Sequence, residues 1–419
     1  MLQTKVQEKE EENLCNPSQK IQQVKVFEKI YPVYFGFSAD LLFWVAIDSL
    51  FLTIVKGFSA SQIVFITDFA LIVSIILNIP IRMIVSKIGN IASVRIGSLL
   101  VMIASVILTF SSMYPMFLLG MTLKYVGVTF YEIHSVILKN NLKSVDRSDD
   151  FSKIQTRGYT YYSSFTAVIA FVATPMFNLN NYLPMYCCVG CTVIAFVLSW
   201  FLKDYSGNIA QQQDMTKGKQ AFRYRKLIMI IIAFGLSYAL LASTQQEGKL
   251  FVQEVFFRSF SEEQVVLLIG TMICISRVVR IVSNIVSYHL YRKIKRAIYP
   301  VLMGALLTAV LLLTIGSFVN IKPLQVVIMI LGYIIILFLR DPYKVFMYDI
   351  ALANCNEEEQ KSMVVYLQLS FKLFYAAFLL GVTALLKIQP MISMMILFII
   401  VAFVSVVINL YITFKNRNV

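Results

Sequence analysis

Charged side chains sit inside stretches of this chain that are otherwise apolar, and they are sorted by sign. Asp40, Asp48, Asp68 and Glu132 dominate the first half, and Lys249, Arg277, Arg280, Arg340, Lys344 and Lys372 the second. A charge in a bilayer is costly, so such residues usually face a bundle interior or a water-filled cavity. Asp40, Trp44 and Asp48 recur at i, i+4 and i+8, which predicts one helical face. Two carboxylates and an aromatic ring on one stripe suit a proton or cation site, because a carboxylate taken out of water exchanges its charge for a proton. Near a span end they would simply be solvated. Lys124 and Glu132 are also eight apart, with Tyr131 and His134 nearby. Glu132 reads either as a protonatable coupling residue or as the salt-bridge partner of an internal base. Asp68 falls a turn or two into its stretch, where it reads as an external-mouth residue.

In the second half, Arg277 and Arg280 are one turn apart, and Arg340, Asp341 and Lys344 cluster beside Tyr343 and Tyr348. Asp341 and Lys344, at i and i+3, are placed to neutralise each other, which leaves Arg340 for a substrate or for an acid of the other half. Gln245, Gln246, Glu247 and Lys249 lie about two turns beyond Tyr238, and amides with mixed charge suit hydrogen bonding to a polar solute. Snorkelling explains Lys and Arg at span ends but explains Arg277 and Lys372, deep in their stretches, poorly. Two compatible readings follow. The acids handle protons while the bases grip an anionic or zwitterionic solute, or acids and bases pair across an interface as a gate. The candidates for proton coupling are Asp40, Asp48 and Glu132. Those for the substrate cavity are Trp44, Lys124, Gln245, Gln246, Arg277, Arg280, Arg340, Asp341, Lys344 and Lys372.

These residues need long apolar elements to hold them. The 419 residues are 58% hydrophobic and 14% charged, with a mean hydropathy of +0.74, which excludes an ordinary soluble globule. A spanning helix takes about 20 mostly apolar residues. Twelve such stretches are expected, near 33–56, 61–84, 93–112, 115–138, 158–178, 182–203, 226–250, 264–288, 298–318, 324–349, 362–386 and 391–414. The sequence therefore predicts an all-α integral membrane protein with an N-terminal tail (1–32), a six-helix bundle (33–203), a central loop (204–225), a second six-helix bundle (226–414) and a short tail (415–419). The basic residues alternate with this ladder. Of 37 Lys and Arg, 26 fall on the side that receives the tails and the even-to-odd loops, whereas the opposite loops hold only Lys56, Arg258, Lys322 and Lys387. By the positive-inside rule, both termini are expected in the cytoplasm.

An internal repeat supports the division into halves. Phe58-Ser59-Ala60-Ser61-Gln62-Ile63-Val64 follows the first stretch, and Phe260-Ser261-Glu262-Glu263-Gln264-Val265-Val266 follows the seventh, 202 residues later. Parallel six-span repeats characterise one large class of secondary transporter.

The stretch from Asn78 to Asn90 carries Pro80, Lys87 and Gly89 at the positions of the proline, basic residue and second glycine of a known signature. It resembles the span 2–3 loop of the major facilitator superfamily. Arg82 stands in place of the first glycine, Ser86 in place of the aspartate that latches the cytoplasmic side in that family, and Asn90 in place of a basic residue. Lys56-Gly57-Phe58-Ser59 with Gln62 and Ile63, and the run from Asp149 to Gly158, also look like the family's loops. The resemblance implies two pseudo-symmetric six-helix bundles, with spans 1, 4, 7 and 10 lining a central cavity and 2, 5, 8 and 11 flanking it. It also implies that Pro80, Ser86, Lys87 and Gly89 form a cytoplasmic gate loop.

The expected protein is a permease working by alternating access, driven by a proton gradient and needing no cofactor or metal. It would act as a monomer in the plasma membrane, in a bacterium by its Ile, Lys and Phe content. Its partners are a small solute and the lipid bilayer, and no nucleic acid. Export fits the absence of a sugar or anion signature; uptake fits the charged cavity. The alternatives are a drug efflux pump, left open by the 13% aromatic content, and a non-transporting receptor. Walker, HExxH and Ser–His–Asp patterns are absent, which argues against an enzyme. Cys187, Cys188 and Cys191 read as small residues packing between helices.

Overall fold

The structure, a computed structural model, describes residues 17–131, 133–147, 150–205, 225–294, 297–353, 357–388 and 391–415. The expected tail before Pro17 and nearly all of the expected central loop lie outside them, as does Glu132. The chain forms α1 (Pro17–Ser38), α2 (Trp44–Leu50, continued by a π-helical turn over Phe51–Val55), α3 (Ala60–Ile88), α4 (Asn90–Phe110), α5 (Tyr114–Tyr131), α6 (His134–Lys143), α7 (Phe151–Leu179) and α8 (Leu183–Phe201). After the central segment come α9 (Arg225–Phe257), α10 (Glu262–Ile294), α11 (Ile298–Gly316), α12 (Lys322–Ala353), α13 (Glu357–Ile388) and α14 (Ile392–Lys415). Among the described residues, nine helices are long and apolar enough to cross a membrane. The other three long elements are those interrupted or charged at their centres: the broken α1–α2, the short α5 around Lys124, and α10 around Arg277 and Arg280.

The first two expectations to fail concern breaks. The stripe of Asp40, Trp44 and Asp48 does not exist, because helix stops at Ser38 and resumes at Trp44. Asp40 lies in the break, and its Oδ1 accepts from the Leu41 amide at 2.8 Å. A short polar side chain that takes a neighbouring backbone amide competes with the helix ladder. The expected fourth span likewise closes after Tyr131, and His134 starts a new helix. The third correction concerns the 2–3 loop, which is not a loop. Asn78 to Ile88 are the last turns of α3, with Pro80 inside the helix and Lys87 in its final turn, where a cation suits the carbonyl end. Gly89 alone links α3 to α4, with φ +85, a conformation that a side chain resists.

The repeated F-S-x-x-Q string has a local cause. Ser59 caps α3: its side chain accepts from the Gln62 amide, and the Gln62 side chain accepts from the Ser59 amide at 2.9 Å. At the start of α10, the Ser261 amide donates to Gln264 Oε1 at 3.2 Å. The motif is a capping device placed at the same point of both halves.

Within the first half, α4 packs on α5 and α8, α3 on α5, and α1 on α7. Within the second, α11 packs on α12 and α14, and α9 on α13 and α12. The halves meet through α3 against α13 and α7 against α10, with α2 touching α10. One core of buried residues runs through both halves. A smaller one, around Tyr31, Tyr34, Phe35 and Leu138, holds α1 against α6 at the basic end of the bundle. The opposite end carries the 56–59, 111–113, 180–182, 258–261 and 317–321 connections and few charges. Cys188 is buried among apolar neighbours and Cys187 and Cys191 are partly buried, all as free thiols.

Candidate functional site

Among the described residues, an ion pair between the halves joins α2 to α9. Asp48 and Lys249, with side chains only 8% and 6% exposed, form an ion pair through Asp48 Oδ1. Gln246 Nε2 donates to Asp48 Oδ2 at 3.1 Å, and the Ser49 amide donates to Oδ1 at 2.7 Å. Toward the lightly charged end, Gln253 Nε2 donates to Thr53 Oγ1 at 2.6 Å, and Thr53 in turn donates to the Ser49 carbonyl at 2.7 Å. Gln246, Lys249 and Gln253 stand at i, i+3 and i+7, one face of a continuous helix, so α9 presents them together. A second seal lies where α7 crosses α10. A Cβ added at Gly270 would sit 1.9 Å from Thr174 Oγ1, so only glycine allows this approach. These contacts all lie in the half of the bundle toward the lightly charged end, which is therefore closed.

Below that closure lies a cavity of about 30 Å³. Lys249, Arg277 and Arg280 line it with Gln245, Gln246, Ser276 and Tyr333, and Val45, Ile273 and Leu337 complete the wall. Two of its three cations are matched: Lys249 by Asp48, and Arg280 by Asp341, which receives Nε and, at 3.1 Å, Nη2. Arg277 forms no ion pair or hydrogen bond among the described residues, although it is only partly exposed. Arg340 donates to Gln245 Oε1 at 2.5 Å and lies 5.9 Å from the centre of the Tyr238 ring. The amide is thereby oriented beside the cavity. A partly desolvated cluster with one uncompensated guanidinium attracts an anion.

The placements sort the sequence candidates. Gln245, Gln246, Arg277 and Arg280 line the cavity together, and Arg340 stands behind it. Asp341 does not neutralise Lys344; it turns to Arg280, while Lys344 is exposed beside the Tyr238 and Tyr348 rings, at 5.8 and 5.9 Å. At i+3 the ammonium lies near Asp341 in sequence, but the guanidinium of α10 offers two donors in one plane. Arg340 meets an amide of its own half instead of an acid of the other. Lys124 pairs with Asp40 at 2.9 Å inside the first half and is not a lining residue. Trp44 is 4% exposed and packs in the apolar core against Phe51. Lys372 is partly buried on α13 and is not a lining residue. Asp68, read as an external-mouth residue, is 0% exposed.

Sequence reasoning missed Thr53, Gln253, Ser276 and Tyr333 as site residues and gave Glu247 no separate role. The i, i+3, i+7 spacing of Gln246, Lys249 and Gln253 was the available signal. Partners such as Thr53, 200 residues away, have none.

No family model and no curated protein matches the sequence. Solved structures do match over nearly the whole chain. The nucleoside transporter NupG aligns with a TM-score of 0.71 at 14% identity, covering 95% of this chain and 100% of that one. A bacterial homologue of the iron transporter ferroportin, in its inward-facing state, aligns with a TM-score of 0.67 at 12% identity, over 94% and 99%. A D-xylose–proton symporter aligns with a TM-score of 0.65 at 14% identity, over 94% and 97%. The chain has the major facilitator fold, as its motifs implied.

Proposed function

We propose that this protein is a proton-coupled secondary transporter for a small anionic or zwitterionic solute, working as a monomer by rocking its two halves about the cavity. The observation that carries the reading is Arg277, an unpaired guanidinium in a cavity whose other cations are matched. A solute carboxylate or phosphate supplies the missing charge, and Gln245, Gln246 and Ser276 offer hydrogen bonds to the rest of it. Nine apolar helices, the three further long elements and the alternation of basic loops support a reading of twelve spans with both termini in the cytoplasm. On that orientation the closed end faces outward, so the conformation is inward-facing, like that of the ferroportin homologue.

The test is a thermal-shift and flux screen on purified protein with monocarboxylates, dicarboxylates, phosphate esters, amino acids and nucleosides. Stabilisation by an anionic member that falls at least tenfold in affinity in Arg277→Ala, and less in Arg277→Lys, supports the reading. Stabilisation that is unchanged in Arg277→Ala, or confined to uncharged solutes, refutes it. Vesicles loaded on either side decide direction, with export the working expectation.

A further inference from the structure

Two acidic side chains at the closed end have no use in the site just described. Asp68 on α3 is 0% exposed, and neither of its carboxyl oxygens has a hydrogen-bond partner. Glu247 on α9 is 1% exposed, and its Oε2 has none. Neither forms an ion pair among the described residues. The one cation that acts on Glu247, Lys249, is already held by Asp48. The groups within electrostatic reach are Asp48 and Lys249 around Glu247, Tyr125 of α5 and Tyr375 of α13 between the elements, and the two acids themselves. Arg340 of α12 reaches Tyr375, and Lys124, Asp40 and Asp48 reach Tyr125. The neighbourhood of Glu247 therefore contributes one further acid, Asp48, besides Asp68, and its one cation, Lys249, is spent.

An ionised carboxylate cannot stay buried without a cation or donors, whereas a neutral acid loses only hydrogen bonds. Asp68 belongs to α3, which packs on α13 of the other half, and Glu247 lies on α9 in the stretch that seals against α2. Their burial is thus a property of the closed end.

We propose that Asp68 and Glu247 are proton-binding carboxyls whose protonation permits the lightly charged end to close. Each carboxylate takes one proton from water while that end is open, forming an O–H bond and losing its charge. Closure then seals up to two protons between the halves, and reopening to water releases them. This assignment rests on the transporter reading; with uptake and release at the same end, the pair sets the pH at which that end closes and moves no net proton across the membrane by itself.

Closure is read without transport, so the two readings fail separately. Full-length protein, with native cysteines replaced and a cysteine at Val55, is labelled with an impermeant maleimide from about pH 5 to about pH 9. The opening constant is expected to rise with pH by up to about a hundredfold per unit for two protons, and by about tenfold for one. Asp68→Asn and Glu247→Gln should each flatten the profile, and the double variant should stay closed and pH-independent. The infrared carbonyl band of protonated carboxylic acids should shrink in each single variant. A flat wild-type profile, or a double variant with the wild-type slope, overturns the proposal. If the double variant does not fold, the single variants decide: unchanged slopes and an unchanged infrared band overturn it as well. Loss of solute flux with the pH profile intact counts against the transport reading alone.

Discussion

Replacing Lys249 by methionine tests whether the Asp48–Lys249 pair holds the two halves together. Both side chains are nearly excluded from solvent, so removing the cation strands a carboxylate. Breaking a buried ion pair costs about 3–5 kcal/mol. Asp48 keeps two donors, the Ser49 amide and Gln246 Nε2, which places the cost near the lower bound. About 3 kcal/mol corresponds to roughly a hundredfold shift from closed toward open. Labelling of a cysteine at Val55 should accelerate by that factor in Lys249→Met. The double variant Asp48→Asn with Lys249→Met should return most of the way, because a neutral pair leaves no buried charge. If the single variant labels at the wild-type rate, the pair does not hold the closure. If the double variant is as open as the single one, the effect comes from lost side-chain volume and the electrostatic reasoning is wrong.

Gly270→Ala should force α7 and α10 apart and raise the same labelling rate, and Thr174→Gly in the same chain should reverse it, since the three atoms nearest the added methyl all belong to that side chain. Ser59→Ala should lower stability by about 1 kcal/mol through the lost cap, seen as a lower melting temperature with unchanged solute affinity. Asp341→Asn should free Arg280, whose side chain is 32% exposed, and strengthen binding of anionic solutes in the thermal-shift screen by about tenfold, at a stability cost of roughly 1–2 kcal/mol.

The architecture was legible because its causes are periodic and local. Apolar length marks the helices, the alternation of basic loops orders them, and the capping motif opens the same helix in each half. The cavity residues Gln245, Gln246, Arg277 and Arg280 were legible because a charge or amide deep in an apolar stretch needs a reason to be there. Pairing was not legible. Asp48 finds Lys249 from 201 residues away, and Arg280 finds Asp341 from 61 away, so helix rotation and approach decide the partner. The break after Ser38 misled the stripe argument, since i, i+4, i+8 holds only along an unbroken helix. Asp68 misled for a different reason. Distance from a helix end measures depth along the axis, whereas burial also depends on what packs against that face, here α13 and α5.

The pairing of Asp48 with Lys249 also bears on the origin of the two halves. The capping repeat is offset by 202 residues and this contact by 201, so the partners lie within one position of each other's counterparts. Contacts between near-counterparts occur along a two-fold axis, where an assembly of identical subunits brings each residue against its own copy. Two aspartates, or two lysines, would repel there. An attractive bridge on the axis therefore requires two sequences free to diverge, which joining the halves in one chain provides. On that view, the fusion is what made an electrostatic clasp at the centre of the molecule possible.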